Sequence, residues 1–126
     1  MKKYFKDEAE SIVKATMPFD TKAVIINYLL ENALGHENAK PWNMIDLALK
    51  VEGVNISKAK FQQTILKDSR KSSMFIGSND HGIAKGYFII NSLKDAQVML
   101  DWYKKRIKVE TERKDHLELL ITESFK

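Results

Sequence analysis

The fold is decided by residues 57–90, SKAKFQQTILKDSRKSSMFIGSNDHGIAKGYFII, where the spacing of apolar residues changes from helical to strand-like. In the first half, apolar residues recur every four or five positions, which is typical of one buried helix face. Ser57 stands just before this run and is a residue type that caps helix N-termini. The stretch therefore predicts a helix after Ser57, with three apolar residues turned inward: Phe61, Ile65 and Leu66.

The second half of the stretch predicts a β-hairpin. Residues 73–76 and 83–90 are rich in aromatic and β-branched residues, which favour strands. Residues 77–82 between them are rich in glycine, asparagine and aspartate, which form turns. We therefore expect two antiparallel strands joined by a long polar tip.

Helices are predicted on both sides of this stretch. Upstream, helical spacing and end signals predict helices over residues 4–15, 20–34 and 41–53. Downstream, Ser92 is a suitable N-cap for a last helix, with Asp95 at the capping-box position. The predicted order is α-α-α-α-β-β-α, a mainly α fold with a β-hairpin and a long C-terminal helix.

The last helix carries an apolar seam with the 3-4 spacing of a heptad repeat. The seam fails at Glu110 and Lys114 and resumes weakly near the C-terminus. Its first part consists of Leu93, Ala96, Leu100, Tyr103 and Ile107, and its last part of Leu117, Leu120 and Ile121.

The composition excludes several classes of protein. The chain has 126 residues, 44% of them hydrophobic and 30% charged, which fits one globular domain. It has no cysteine, so disulfides and cysteine-bound zinc are excluded, and its three histidines lack metal-ligand spacing. No catalytic motif is assembled, so we expect a non-enzyme with no metal or cofactor. The chain has no apolar run long enough to span a membrane, and its N-terminus is charged where a signal peptide would be apolar. These features predict a cytoplasmic protein without a membrane segment.

The positive charge of the chain is concentrated in one region. Lysine and arginine total 21 against 17 aspartate and glutamate residues. Residues 57–92 hold six basic and two acidic residues, which accounts for the whole excess of four. A local basic surplus indicates a surface that binds a polyanion.

The element order resembles the winged helix-turn-helix fold over residues 20–90. Three helices precede the hairpin within these residues, and the second and third, at 41–53 and 57–70, are closely spaced. This order and the strand Gly86-Tyr87-Phe88-Ile89-Ile90 carry the resemblance. Small winged-helix proteins of phages and mobile elements share this strand pattern and a long C-terminal helix. The resemblance implies an N-terminal extension at 1–19, a winged-helix domain at 20–91 and a C-terminal dimerisation helix at 92–126.

The same resemblance implies binding of double-stranded DNA, by a transcriptional regulator or a replication-origin binder. The helix at 57–70 would be the recognition helix in the major groove. Lysine and arginine neutralise phosphates, while glutamine can hydrogen-bond base edges, and the exposed face of this helix offers both. Ser69, Ser72 and Ser73 add short polar groups. The predicted DNA-binding residues are Lys58, Lys60, Gln62, Gln63, Lys67, Arg70, Lys71 and Lys85.

Two further partners follow from the pattern. A second apolar stripe containing Trp102 would let the last helix cover its own domain with one stripe and pair with another subunit through the other. We therefore expect a homodimer held by Trp102, Leu117 and Ile121. The alternative function is a winged-helix adaptor or inhibitor that binds a host or replication protein, since the hairpin tip carries Asn79, Asp80 and His81 in place of cations.

Overall fold

The computed structural model describes residues 4–15, 20–71, 75–79 and 84–125. It shows a mainly helical fold with one two-stranded antiparallel hairpin, as the sequence predicts. No helix within the described ranges is long and apolar enough to cross a membrane. The elements are α1 (Phe5–Ala15), α2 (Thr21–Asn32), a 3₁₀ turn (His36–Asn38), α3 (Trp42–Val51), α4 (Lys58–Phe61), a π-helical turn (Gln62–Leu66), α5 (Lys67–Lys71), β1 (Ile76–Asn79), β2 (Gly86–Ile89) and α6 (Leu93–Ser124).

Side-chain caps begin three of the helices at the positions that the sequence predicts. The carboxylate of Asp20 accepts hydrogen bonds of 2.9 and 3.3 Å from two N–H groups in the first turn of α2. The hydroxyl oxygens of Ser57 and Ser92 each accept one from the third residue beyond, at 3.0 and 3.1 Å. Each cap satisfies a backbone donor that the helix itself leaves without a partner.

The segment from 58 to 71, formed by α4, the π turn and α5, is one helix and is called the 58–71 helix below. Its buried apolar residues are the three predicted ones. In a regular α-helix, Phe61 and Leu66 would lie about 140° apart around the axis. The π turn widens the helix between them and brings both to the core side.

The first strand extends further into the predicted tip than expected, and Ser73 and Met74 of the predicted strand lie outside the described residues. Strand β1 starts at Ile76, which pairs with Ile89, and it continues through Gly77 to Asn79, residues that the sequence assigns to the tip. Gly77 pairs with Phe88, and a Cβ on Gly77 would stand only 2.5 Å from the Phe88 ring. Glycine is therefore present here to admit an aromatic ring. Strand β2 is shorter than the predicted 83–90, and residues 80–83 lie outside the described part.

The connection between α2 and α3 holds the hairpin against the helices. Lys40 and Tyr87 exchange two backbone hydrogen bonds of 2.9 Å, and the Gly35 N–H donates to the Ile89 carbonyl at 2.9 Å. The Ile89 N–H in turn donates to Ala33 at 2.8 Å. These bonds occupy the outer edge of β2, so the hairpin is fixed beside the core.

Helix α1, which lies in the predicted N-terminal extension 1–19, packs into the main core. Ala9 is fully buried and belongs to the same cluster as Ile26 and Phe61. The largest side chains of this core come from α2, α3, the 58–71 helix and the hairpin: Ile25, Ile26, Leu29, Ile45, Leu49, Phe61, Phe75, Ile76 and Ile89.

Helix α6 has 32 residues and is therefore about 48 Å long. Only its first third contacts the domain, chiefly through buried Asp95 and Met99. All described residues from 104 to 125 are exposed, and the helical residues 104–124 are called the arm below. In the first part of the seam, Leu93 and Leu100 are exposed, whereas Ala96 and Tyr103 pack against the domain.

Candidate nucleic-acid interface

All eight residues predicted to bind DNA are exposed. Seven of them lie on the 58–71 helix, and Lys85 lies just before β2. These seven residues lie at different distances from the core. Their positions are measured from the buried row of the helix, which consists of Phe61, Ile65 and Ser69 at four-residue spacing.

The row opposite the core, called the outward row below, consists of Gln63, Lys67 and Lys71. These three residues are also spaced by four, and they lie two positions from the buried row, roughly 200° around the helix. All three are exposed along the full length of the helix. A long polyanion lying along this face would meet one amide followed by two ammonium groups.

The cations of this helix are not neutralised within the described residues. Its five basic residues face one carboxylate on the same helix, that of Asp68. Among the described residues, none of the five forms an ion pair, whereas ion pairs do form on α1, α3 and the arm. The unpaired basic residues are Lys58, Lys60, Lys67, Arg70 and Lys71. The positive field of this face is therefore free to act on a ligand.

A groove of about 330 Å³ joins the N-terminal end of the helix to the hairpin. Lys58 lines it from the helix and Lys85 from the hairpin, so the two predicted cations meet at one site. Its aromatic lining consists of Trp42, Tyr87 and Trp102. Lys85 extends the basic surface from the helix to the turn end of the hairpin.

Aromatic contacts explain why the helix and the hairpin are adjacent. The Phe61 ring packs edge-on against Tyr87, with ring centres 4.9 Å apart, and lies 5.1 Å from Trp42. The Gln62 amide donates to the Tyr87 hydroxyl at 3.0 Å. Gln62 is thus engaged within the domain, and Gln63 is the glutamine whose amide is presented outward.

Ser69 does not contribute to the exposed surface, and that expectation is wrong. It is fully buried, and its hydroxyl accepts a 2.9 Å hydrogen bond from the Ile76 N–H. Ser69 therefore links the C-terminal end of the helix to the start of β1. Ser72 and Ser73 lie outside the described residues.

The three residues predicted to hold a dimer lie in two different places. Trp102 is half-buried at the groove, packs edge-on against Tyr103 and lies under Arg106 at 5.2 Å. Trp102 therefore contacts its own domain. Leu117 and Ile121 lie on the arm and are 58% and 49% exposed.

Asp95 has a role that the sequence did not indicate. Its carboxylate accepts from the His36 N–H and the Asn91 N–H at 2.9 Å and contacts the His36 ring, so the capping box keeps the bond to the Ser92 hydroxyl but not the expected bond from the Ser92 N–H. Burial alone would raise the pKa of Asp95, but these hydrogen bonds outweigh it and hold the pKa below its usual value. Asp95 therefore anchors α6 to the connection that holds the hairpin.

Comparison of the chain with protein-family models, curated proteins and solved structures gives no match.

Proposed function

We propose that this protein binds double-stranded DNA as a winged helix-turn-helix protein, with the 58–71 helix as recognition helix. The observation that carries the proposal is the exposed face of that helix, where five cations that form no ion pair with any described residue surround an outward glutamine. Phosphate neutralisation by such cations supplies affinity, and an amide can read an adenine edge.

The arrangement of the hairpin supports the same proposal. The backbone bonds to Lys40 and the contacts of Tyr87 hold β2 beside the N-terminal end of the helix. Lys58 and Lys85 flank the groove between them. A duplex with the helix in its major groove would have its phosphate backbone near these two cations, which supports a winged arrangement.

The biological role that fits is a transcriptional regulator or replication-origin binder of a phage or mobile element. Base reading is assigned to Gln63. Phosphate contacts are assigned to Lys58, Lys60, Lys67, Arg70, Lys71 and Lys85. The protein acts without chemistry on the DNA, because its task is positioned binding.

The proposal is tested by nuclear magnetic resonance of ¹⁵N-labelled protein during titration with a 20-base-pair duplex. We expect the largest amide shifts on the outward row and near Lys85, with the C-terminal part of the arm unchanged. Shifts confined to the arm, or no shifts at low salt, would refute DNA binding through this helix. The adaptor alternative would then account for the surface.

A further inference from the structure

The arm carries an exposed apolar seam that is interrupted by two residues of opposite charge. On the arm, the seam positions at 3-4 spacing are Ile107, Glu110, Lys114, Leu117 and Ile121. The three apolar residues are 64%, 58% and 49% exposed, so the domain leaves them uncovered. Glu110 and Lys114 are exposed too, and their ion pairs among the described residues are all intrahelical, with Arg113 for Glu110 and with Asp115 and Glu118 for Lys114. Such surface pairs contribute little and can be exchanged for others at small cost.

We propose that the arm pairs with the arm of a second copy of this chain, antiparallel, about a two-fold axis at Glu112. The seam is symmetric about that residue. Ile107 and Leu117 lie five residues on either side of it, and Glu110 and Lys114 lie two residues on either side. Antiparallel pairing therefore places Ile107 against Leu117 and Glu110 against Lys114, with each contact made twice.

Parallel pairing is disfavoured by the same residues. Each seam residue of a parallel pair faces its own copy. Glu110 would then face Glu110, and Lys114 would face Lys114, which juxtaposes like charges in both layers. The antiparallel order converts these two repulsions into two complementary pairs. Charge complementarity thus selects a second copy as the occupant of this face and also fixes its direction.

The two domains would stand at opposite ends of the paired arms. Tyr103, where the domain contact ends, would lie beside Ile121 of the second copy, nine residues from the axis on the other side. The two copies of Tyr103 would be about 27 Å apart along the arm. The proposal does not depend on DNA binding, because it rests on the arm alone.

Charge exchange tests the proposal by light scattering or sedimentation. The wild type should have twice the monomer mass of 14.6 kDa at 100 µM. Glu110→Lys and Lys114→Glu should each raise the dimer dissociation constant by roughly tenfold or more, because each places like charges opposite one another. The double variant Glu110→Lys/Lys114→Glu should restore the dimer. Glu112→Lys is the matched control, because it makes the same charge change on the opposite side of the helix.

Cross-linking tests the direction, since the chain has no cysteine of its own. Ile107→Cys and Leu117→Cys should form a disulfide when the two variants are mixed, and neither should do so alone. A monomeric wild type, a double variant that stays monomeric, or a disulfide between two copies of Ile107→Cys would each overturn the antiparallel pair.

Discussion

Replacement of Lys67 by alanine is expected to weaken binding to all duplexes alike. Lys67 lies in the outward row, is exposed and has no ion-pair partner among the described residues. Its removal therefore leaves the fold intact, with an effect on stability of at most about 0.5 kcal/mol. What is lost is one neutralised phosphate and the counterions that its neutralisation releases.

The size of the loss follows from counterion release. One phosphate contact contributes about 0.9 to the slope of log K against log salt. Measured against a 1 M reference, that contact is worth about 15-fold in affinity at 50 mM salt, about 8-fold at 100 mM and about 4-fold at 200 mM. The ratio of wild-type to variant affinity should therefore fall by about a factor of 3.5 over this range.

The assay is fluorescence anisotropy with one labelled duplex and one scrambled duplex, each titrated at four salt concentrations. Lys14→Ala, which removes an exposed cation at the end of α1, serves as the control and should leave the slope unchanged. Thermal melting checks that both variants are folded. An unchanged slope for Lys67→Ala, or an equal change for Lys14→Ala, would refute the assignment of this face.

Three further outcomes are expected. Gln63→Ala should lose about 1–3 kcal/mol of discrimination at one base pair while non-specific affinity is kept, whereas Gln62→Ala should leave base preference unchanged, as measured by selection from a duplex library. Asp95→Asn should lower the free energy of unfolding by about 1–3 kcal/mol at pH 7 in urea titrations, because one side-chain oxygen that accepts N–H groups is replaced by a donor. Since the folded-state pKa of Asp95 is lowered, its carboxylate stabilises the fold above the unfolded value near 3.9, and the difference between variant and wild type should shrink as pH falls below that value. Gly86→Ala should destabilise the fold by more than about 2 kcal/mol, because its Cβ would stand 2.0 Å from the Lys40 carbonyl oxygen at a φ of +126°, whereas Gly53→Ala, with open space around a φ of +80°, should cost about 1 kcal/mol.

The features that the sequence predicted correctly depend on local spacing. The caps at Asp20, Ser57 and Ser92 join residues two or three positions apart, so residue type and position suffice to predict them. The exposed row of the 58–71 helix followed from the period of its buried residues, which is also local. The order of helices and strands follows from the change in period.

The features that the sequence missed depend on contacts between distant residues. Asp95 and His36 are 59 positions apart, and Gln62 and Tyr87 are 25 apart, so no local pattern indicates either bond. The residues at 77–79 have the composition of a turn, but Gly77 is in the strand because Phe88 needs the space opposite it. The burial of Ser69 was also missed, because it depends on a hydrogen bond between the helix and the Ile76 N–H in β1.

Titration of the wild-type protein with a 20-base-pair duplex between 50 and 200 mM salt tests DNA binding by the 58–71 helix most directly. If its five cations and Lys85 each neutralise one phosphate, log K should fall with log salt at a slope of about −5.4, and affinity should drop about 1,800-fold over this range. A slope near zero, or no binding at 50 mM salt, would contradict the assignment of this helix to DNA.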